Sequence, residues 1–81
     1  MTIRLLLFAA LRDIVGTGEM AVELDEGTTA AALWSTLRAR HDRLAPSVAP
    51  PMVAVNRSYA DPGTPLRDGD EVAFIPPVSG G

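Results

Sequence analysis

The chain has 81 residues, which is enough for one domain with a compact core and too few for a second. Its formal net charge is −3, and this acidic balance disfavours nucleic acid as a partner, because phosphate binding requires clustered positive charge. The absence of cysteine excludes a disulfide framework, a thiolate metal site and a cysteine nucleophile, and the single histidine cannot form a set of metal-binding imidazoles.

The N-terminal segment predicts a strand followed by a short helix. Residues 3–8 are mostly apolar and are expected to form a central strand. Period-two alternation places Phe8 on one face of that strand, and it assigns the opposite face to Ile3, Leu5 and Leu7. The next seven residues, 9–15, have apolar side chains at helical spacing, and Gly16 is a suitable residue to end the helix.

The apolar run at the N-terminus is too short to span a membrane. A span needs about 20 apolar residues, whereas this run is interrupted by Arg12 and Asp13. No small-residue cleavage site follows it, so a secretory signal peptide is not indicated. We therefore expect a cytoplasmic protein that has no membrane partner.

The middle of the chain predicts a second strand and the main helix. Residues 20–24 alternate between apolar and polar side chains, and they follow the short helix closely enough to pair antiparallel with the first strand. Thr28 or Thr29 is expected to cap a helix over residues 30–43. The apolar stripe of this helix is Ala30, Leu33, Leu37 and Leu44, with Trp34 beside it.

The last part of the chain predicts three strands and a tail. Residues 52–56 form one strand, Tyr59 lies in a short return strand, and residues 71–75 form the last strand after a turn that needs Gly69. This order of elements predicts an α+β protein with a β-grasp, ubiquitin-like fold and a mixed sheet of about five strands. We expect the domain to cover residues 1–75 and an extended, flexible tail to cover residues 76–81.

The side chains do not predict an active site. The carboxylates are scattered, and no pair has a spacing that suits acid–base catalysis. His41 lies near the predicted end of a helix, where we expect it to be a solvated surface residue. No glycine-rich loop joins a strand to a helix, so nucleotide binding is not indicated. The chain is therefore expected not to be an enzyme by itself.

The tail combines a stiff base with a slender tip. Pro76 and Pro77 end the last strand, because proline cannot donate to a strand ladder. Gly80 and Gly81 remove side chains from the tip, so it can enter a channel in which any Cβ would clash. Six extended residues reach at most about 20 Å. The terminal carboxylate becomes reactive only after activation, for instance as an acyl-adenylate that another enzyme makes from ATP, and a sulfur donor can convert it to a thiocarboxylate.

The chain resembles the molybdopterin synthase small-subunit family. The resemblance is strongest in the string DGDEVAF at residues 68–74, which is followed by PPVSGG at residues 76–81. Residues 8–12 with Gly16 are similar to the first strand and helix of the family, and residues 54–56 are similar to its third strand. The resemblance covers the whole chain, and it implies a β-grasp fold and a function in molybdenum cofactor biosynthesis.

The resemblance also implies partners and site residues. An adenylating, sulfurylating enzyme that uses ATP would convert Gly81 to a thiocarboxylate, and the chain itself would hold no tightly bound cofactor and no metal. The tail would enter the large synthase subunit, in a heterotetramer of two small and two large chains, and give sulfur to cyclic pyranopterin monophosphate. If the main helix covers Leu5, Leu7, Val72 and Phe74, strand alternation places Phe8 and Ile75 on the opposite face, where we also expect Tyr59. The resemblance points the same way, since it implies docking through a hydrophobic sheet surface beside the tail. The partner-binding set is Phe8, Tyr59, Ile75, Pro76, Pro77, Val78 and Ser79, and the reacting end is Gly80 and Gly81.

Three alternatives remain open at this point. The chain could carry sulfur for thiazole, cysteine or thiolated-RNA synthesis, although the short helix and the PPVSGG ending favour the molybdopterin carrier. It could be a ubiquitin-like modifier that is attached to other proteins. Because the chain has no lysine, it could not form polymers by attachment to further copies of itself, although it could still modify other proteins. It could also be an interaction module whose tail has no chemical function.

Overall fold

The computed structural model describes residues 1–44 and 50–76, and within these ranges the chain forms five strands and two helices. In chain order these are β1 (Thr2–Leu7), α1 (Ala9–Val15), β2 (Glu19–Glu23), α2 (Ala30–Arg40), β3 (Met52–Val55), β4 (Ser58–Ala60) and β5 (Glu71–Ile75).

The five strands form one mixed sheet in the order β2-β1-β5-β3-β4. The two central strands, β1 and β5, are parallel, and the other neighbours are antiparallel. The first and last strands of the chain therefore lie side by side, with β2 and β3 outside them. This is the β-grasp arrangement that the order of the predicted elements indicates, and the predicted antiparallel pairing of the first two strands is confirmed.

One face of the sheet packs against α2 to form the core. The inward side chains of β1 and β5 are almost completely buried, at 0–1% exposure for Leu5, Leu7, Val72 and Phe74. They pack with Leu33, Trp34 and Leu37 of α2. The Trp34 and Phe74 rings meet edge to face, with 5.4 Å between their centroids. Strand alternation thus predicts the buried set correctly, because the period of two separates the two faces of each strand.

Backbone conformation at the helix ends follows local sequence. Gly16 ends α1 with a φ of 93°, a left-handed conformation that costs glycine little. Thr29 is the N-cap of α2, and its hydroxyl oxygen accepts a hydrogen bond of 3.1 Å from the amide of Ala32. The predicted extent of α1 and the choice of threonine as cap are confirmed.

Several predicted boundaries are wrong: β1, β2 and β3 each differ from the predicted range by one residue at one or both ends, and α2 is shorter than predicted. Helix α2 ends at Arg40, three residues before the predicted end, because the backbone becomes extended at His41. The amide of Leu44 then bonds the carbonyl of His41 at 2.9 Å, and this turn brings Leu44 back into the core. Leu44 is buried as predicted, but it does not belong to the helical stripe. Phe8 lies just after β1, where it is the N-cap residue of α1.

The part of the chain between residues 1 and 44 and between residues 50 and 76 contains no helix that is long and apolar enough to cross a membrane. The division into a domain and a tail stays a prediction, because residues 77–81 lie outside the described ranges.

The two phenylalanines provide a test of the packing. Phe74→Ala removes a side chain that is fully buried against Trp34, so we expect a loss of about 3–5 kcal/mol in the free energy of unfolding, measured by urea denaturation. Phe8→Ala is the matched control, because Phe8 is 46% exposed. Equal losses at the two positions would contradict the assignment of the core face.

Candidate functional site

The face of the sheet opposite α2 carries a trough of apolar side chains. Strand alternation turns Leu6, Ala54 and Ala73 to this side. The register aligns Leu6 with Ala73, Ala73 with Ala54, and Ala54 with Tyr59, so that one row crosses four strands. Small alanines form the floor of this row, and larger side chains stand around them. We call the whole set the apolar trough: Leu6, Phe8, Ala54, Tyr59, Ala73 and Ile75.

The trough exposes large apolar surface. Phe8 is 46% exposed and Tyr59 is 75% exposed, although both are bulky and aromatic. Ile75 is half-buried at the carboxyl end of β5. A contiguous exposed apolar surface of this kind is typical of a protein-binding site. The structure therefore brings together three of the predicted partner-binding residues, Phe8, Tyr59 and Ile75.

The trough extends to the edge of the sheet at which the tail begins. Because β1 and β5 are parallel and Leu7 is aligned with Phe74, both strands end at the same edge. Phe8 and Pro76 follow these strand ends, so the apolar trough and the first tail residue are neighbours. The remaining predicted residues, Pro77, Val78, Ser79, Gly80 and Gly81, lie outside the described ranges.

A row of charged residues crosses the same face at the other end of the trough. The Arg4 Nε atom lies 3.2 Å from Glu19 Oε1, and Arg4 Nη2 lies 2.8 Å from Glu71 Oε2. The second oxygen of Glu71 lies 3.8 Å from Arg57 Nε. The sequence did not predict this row, because its members come from β2, β1, β5 and the β3–β4 turn, and only the sheet order brings them together.

The acidic string at residues 68–71 is largely engaged in holding the fold. Asp68 Oδ1 accepts a hydrogen bond of 2.7 Å from the amide of Thr2, and the amide of Gly69 donates to the carbonyl of Thr2 at 2.8 Å. Gly69 adopts a φ of 84°, as the predicted turn requires. These contacts fasten the turn before β5 to the beginning of β1.

Asn56 connects this turn to the β3–β4 hairpin. Its side chain donates to Asp70 Oδ1 and accepts from the amide of Glu71, each at 3.0 Å. Its own amide donates to the carbonyl of Glu71 at 2.7 Å, and the amide of Arg67 donates to Asp70 Oδ2 at 2.8 Å. Much of the distinctive DGDE sequence is therefore explained by backbone hydrogen bonds that position β5 and hence the base of the tail.

A metal-binding cluster is not found in the described part of the chain. No group of three or more His, Asp or Glu side chains there is arranged to hold a metal ion. His41 is half-buried at the end of α2, away from the trough.

The chain matches the ThiS family over residues 5–81. It is 43% identical over 81 residues to the molybdopterin synthase sulfur carrier subunit of Escherichia coli (strain K12), with 98% of this chain and 99% of the relative covered. It is 39% identical over 83 residues to the protein of the same name in Chlamydomonas reinhardtii, with both chains fully covered. The solution structure of the Haloferax volcanii HVO 2177 protein is also similar, with a TM-score of 0.88 and 29% identity over 100% of this chain and 87% of that one.

The contribution of the Asp70 hydrogen bonds to the stability of the turn before β5 can be tested by mutation. Asp70→Ala removes two hydrogen-bond acceptors and leaves the Arg67 amide and the Asn56 side chain without this partner. We expect the free energy of unfolding to fall by about 1–3 kcal/mol, measured by urea denaturation. Asp13→Ala, an exposed position on α1, is the control and is expected to change it by about 0.5 kcal/mol or less. Equal stability of the two variants would contradict a structural function for Asp70.

Proposed function

The chain belongs to the ThiS family, and we propose that it is the sulfur carrier subunit of a molybdopterin synthase and acts through the terminal carboxylate of Gly81. One observation carries the proposal: a relative of that name is 43% identical to this chain over nearly the full length of both proteins. The PPVSGG ending supports it, because it supplies a stiff stem and a tip without side chains.

The proposed chemistry takes place on the main chain. An adenylating partner binds ATP, the Gly81 carboxylate attacks the α-phosphorus, and pyrophosphate leaves. Hydrosulfide then attacks the acyl carbon and displaces AMP, which produces a thiocarboxylate. The large synthase subunit binds this end, and the thiocarboxylate sulfur attacks a carbon of cyclic pyranopterin monophosphate and displaces an oxygen substituent from it. Water then hydrolyses the acyl–sulfur bond, which leaves the sulfur on the pterin and restores the Gly81 carboxylate. The carrier needs no catalytic side chain for any of these steps, because the partner enzymes activate the terminal carboxylate and receive its sulfur.

The apolar trough is the proposed docking surface for the large subunit. Phe8 and Tyr59 expose aromatic surface that a partner can cover, and aromatic side chains are enriched at interfaces between proteins. Docking beside Pro76 directs residues 77–81 towards the partner, so that Pro77, Val78 and Ser79 would contact its channel while Gly80 and Gly81 enter it. We propose two carriers for each pair of large subunits, with no cofactor bound tightly to the carrier.

Activation of the tail is tested by the intact mass of the protein. Incubation with a cognate adenylating enzyme, ATP and a sulfide source should replace one oxygen atom with one sulfur atom, and mass spectrometry should place the change at Gly81. Deletion of Gly81 should abolish the exchange, because the new terminal carboxylate, on Gly80, ends one residue short of the position at which the adenylating enzyme acts, while the thermal unfolding curve stays unchanged.

An unchanged mass, under conditions in which a known carrier is converted, would overturn the proposed function. Attachment of the chain through Gly81 to lysines of other proteins, without transfer of sulfur, would instead identify a protein modifier. The second result distinguishes the carrier from a protein modifier. A carrier for thiazole, cysteine or thiolated-RNA synthesis would also gain sulfur, and it is distinguished by its failure to bind the large synthase subunit.

The docking surface is tested by introducing a charged side chain into the trough at Ile75, next to Pro76. Ile75→Lys places an ammonium group in the surface that the large subunit would cover, so we expect affinity to fall by about tenfold or more, measured by isothermal titration calorimetry. Ile75 is half-buried and its side chain points away from the core, so the far-ultraviolet circular dichroism should remain that of the wild type. Unfolding of the variant would show that this face is part of the core.

A further inference from the structure

The turn between β3 and β4 places an arginine where the backbone favours glycine. Asn56 and Arg57 connect the two strands, and their φ angles are 50° and 71°. Positive φ at both central residues is the requirement of a type I′ hairpin turn, and glycine is strongly preferred at the second position. Arg57 therefore adopts a left-handed conformation that glycine would adopt with less strain. The stability of the turn does not explain the presence of this side chain.

The ion pair of Arg57 does not explain it either. Arg57 Nε lies 3.8 Å from Glu71 Oε1, which is too far for a hydrogen bond, and its side chain is 85% exposed. The other oxygen of Glu71 already bonds Arg4 at 2.8 Å. Exposed pairs of this kind contribute little to stability, because water and salt screen them. The Arg57 guanidinium thus keeps most of its hydrogen-bonding capacity for another molecule.

The position of Arg57 suggests what that molecule is. Arg57 borders the apolar trough together with Tyr59, and it lies at the end where β3 leaves the sheet beside Glu71. Ile75, which precedes the first tail residue, lies at the opposite end of β5. Four steps along this strand separate it from Glu71, a distance of about 13 Å. A protein that covers the trough while receiving the tail therefore meets Arg57 at its far rim. Rim charges set the rate and the selectivity of association more than the affinity.

We propose that Arg57 is a specificity-determining residue of the docking surface, and that its guanidinium pairs with a carboxylate on the large synthase subunit. The inference rests on the proposed function and extends it to the chemistry of the partner surface. A planar guanidinium with several donors suits a carboxylate, which can accept two parallel hydrogen bonds from it. The large subunit is thus expected to present an acidic side chain opposite the β3–β4 turn, beyond the apolar contact with Tyr59.

The test measures the rate at which the carrier associates with its purified cognate large subunit by stopped-flow fluorescence. The variants are Arg57→Gly, which removes the charge and suits the turn, and Arg57→Glu, which reverses the charge. We expect association to slow by about threefold for the first variant and by about tenfold for the second. The differences should shrink as the salt concentration is raised from about 0.05 to 0.5 M.

Two controls separate this effect from loss of fold and from net charge. Arg57→Gly should unfold at a temperature equal to or above that of the wild type, since glycine relieves the left-handed strain. Arg43→Glu makes the same change of charge just after α2, outside the apolar trough, and should leave the association rate within about twofold of the wild type. Replacement of the opposing acidic residue of the large subunit by arginine should restore fast association to Arg57→Glu.

Three results would overturn the inference. The first is that Arg57→Glu associates with the large subunit as fast as the wild type at low salt. The second is that Arg43→Glu slows this association as much as Arg57→Glu does. The third is that Arg57→Glu slows association with the adenylating enzyme but not with the large subunit. The proposed function is judged separately, by the binding of the wild-type chain. If the wild type binds the large subunit and Arg57→Glu associates with it equally fast at low salt, only the inference about Arg57 fails. If the wild type does not bind, the proposed function fails and the inference with it.

Discussion

The parallel pairing of β1 and β5 is the constraint on which the rest of the structure depends. It brings together two strands that are distant in sequence, and it buries the inward side chains of both under α2. Because the strands are parallel, both end at one edge of the sheet, and the chain leaves that edge at Phe8 and at Pro76. The same register places Arg4 beside Glu71. The position of Pro76 relative to the apolar trough is thus a consequence of one strand pairing.

The molecule separates a rigid frame from the group that is proposed to react. Buried leucines, Val72 and Phe74 stabilise the frame, while Asp68, Asp70 and Asn56 hold the turn before β5 through backbone hydrogen bonds. This separation suits a carrier that one enzyme activates and another enzyme binds, because the terminal group can change chemically without disturbing the fold. Preorganisation of the tail base also lowers the entropy that is lost when a partner binds it.

The two faces of the sheet illustrate how one alternation pattern serves two purposes. Odd-numbered residues of β1 enter the core, whereas even-numbered residues carry Arg4 into the charged row and Leu6 into the trough. Ala54 and Ala73 have small side chains, so the centre of the exposed face is a depression, and the larger side chains of Phe8 and Tyr59 lie on either side of it. The proposed contact with a partner combines this shape with a charge at Arg57, which lies at the far rim.

The local pattern of the sequence determined the element types, the buried set and the turn at Gly69, because strand and helix periods and positive-φ glycines are local properties. It also placed Phe8, Tyr59 and Ile75 on the exposed side, and the GG terminus suggested where the chemistry occurs. It did not reveal the end of α2 at Arg40, the alanine floor or the charged row through Arg57. The alanine floor and the charged row depend on which strands are neighbours and on their register, and hydrogen bonds between distant segments decide both. The end of α2 depends on the extended backbone at His41, after which the chain turns and Leu44 enters the core.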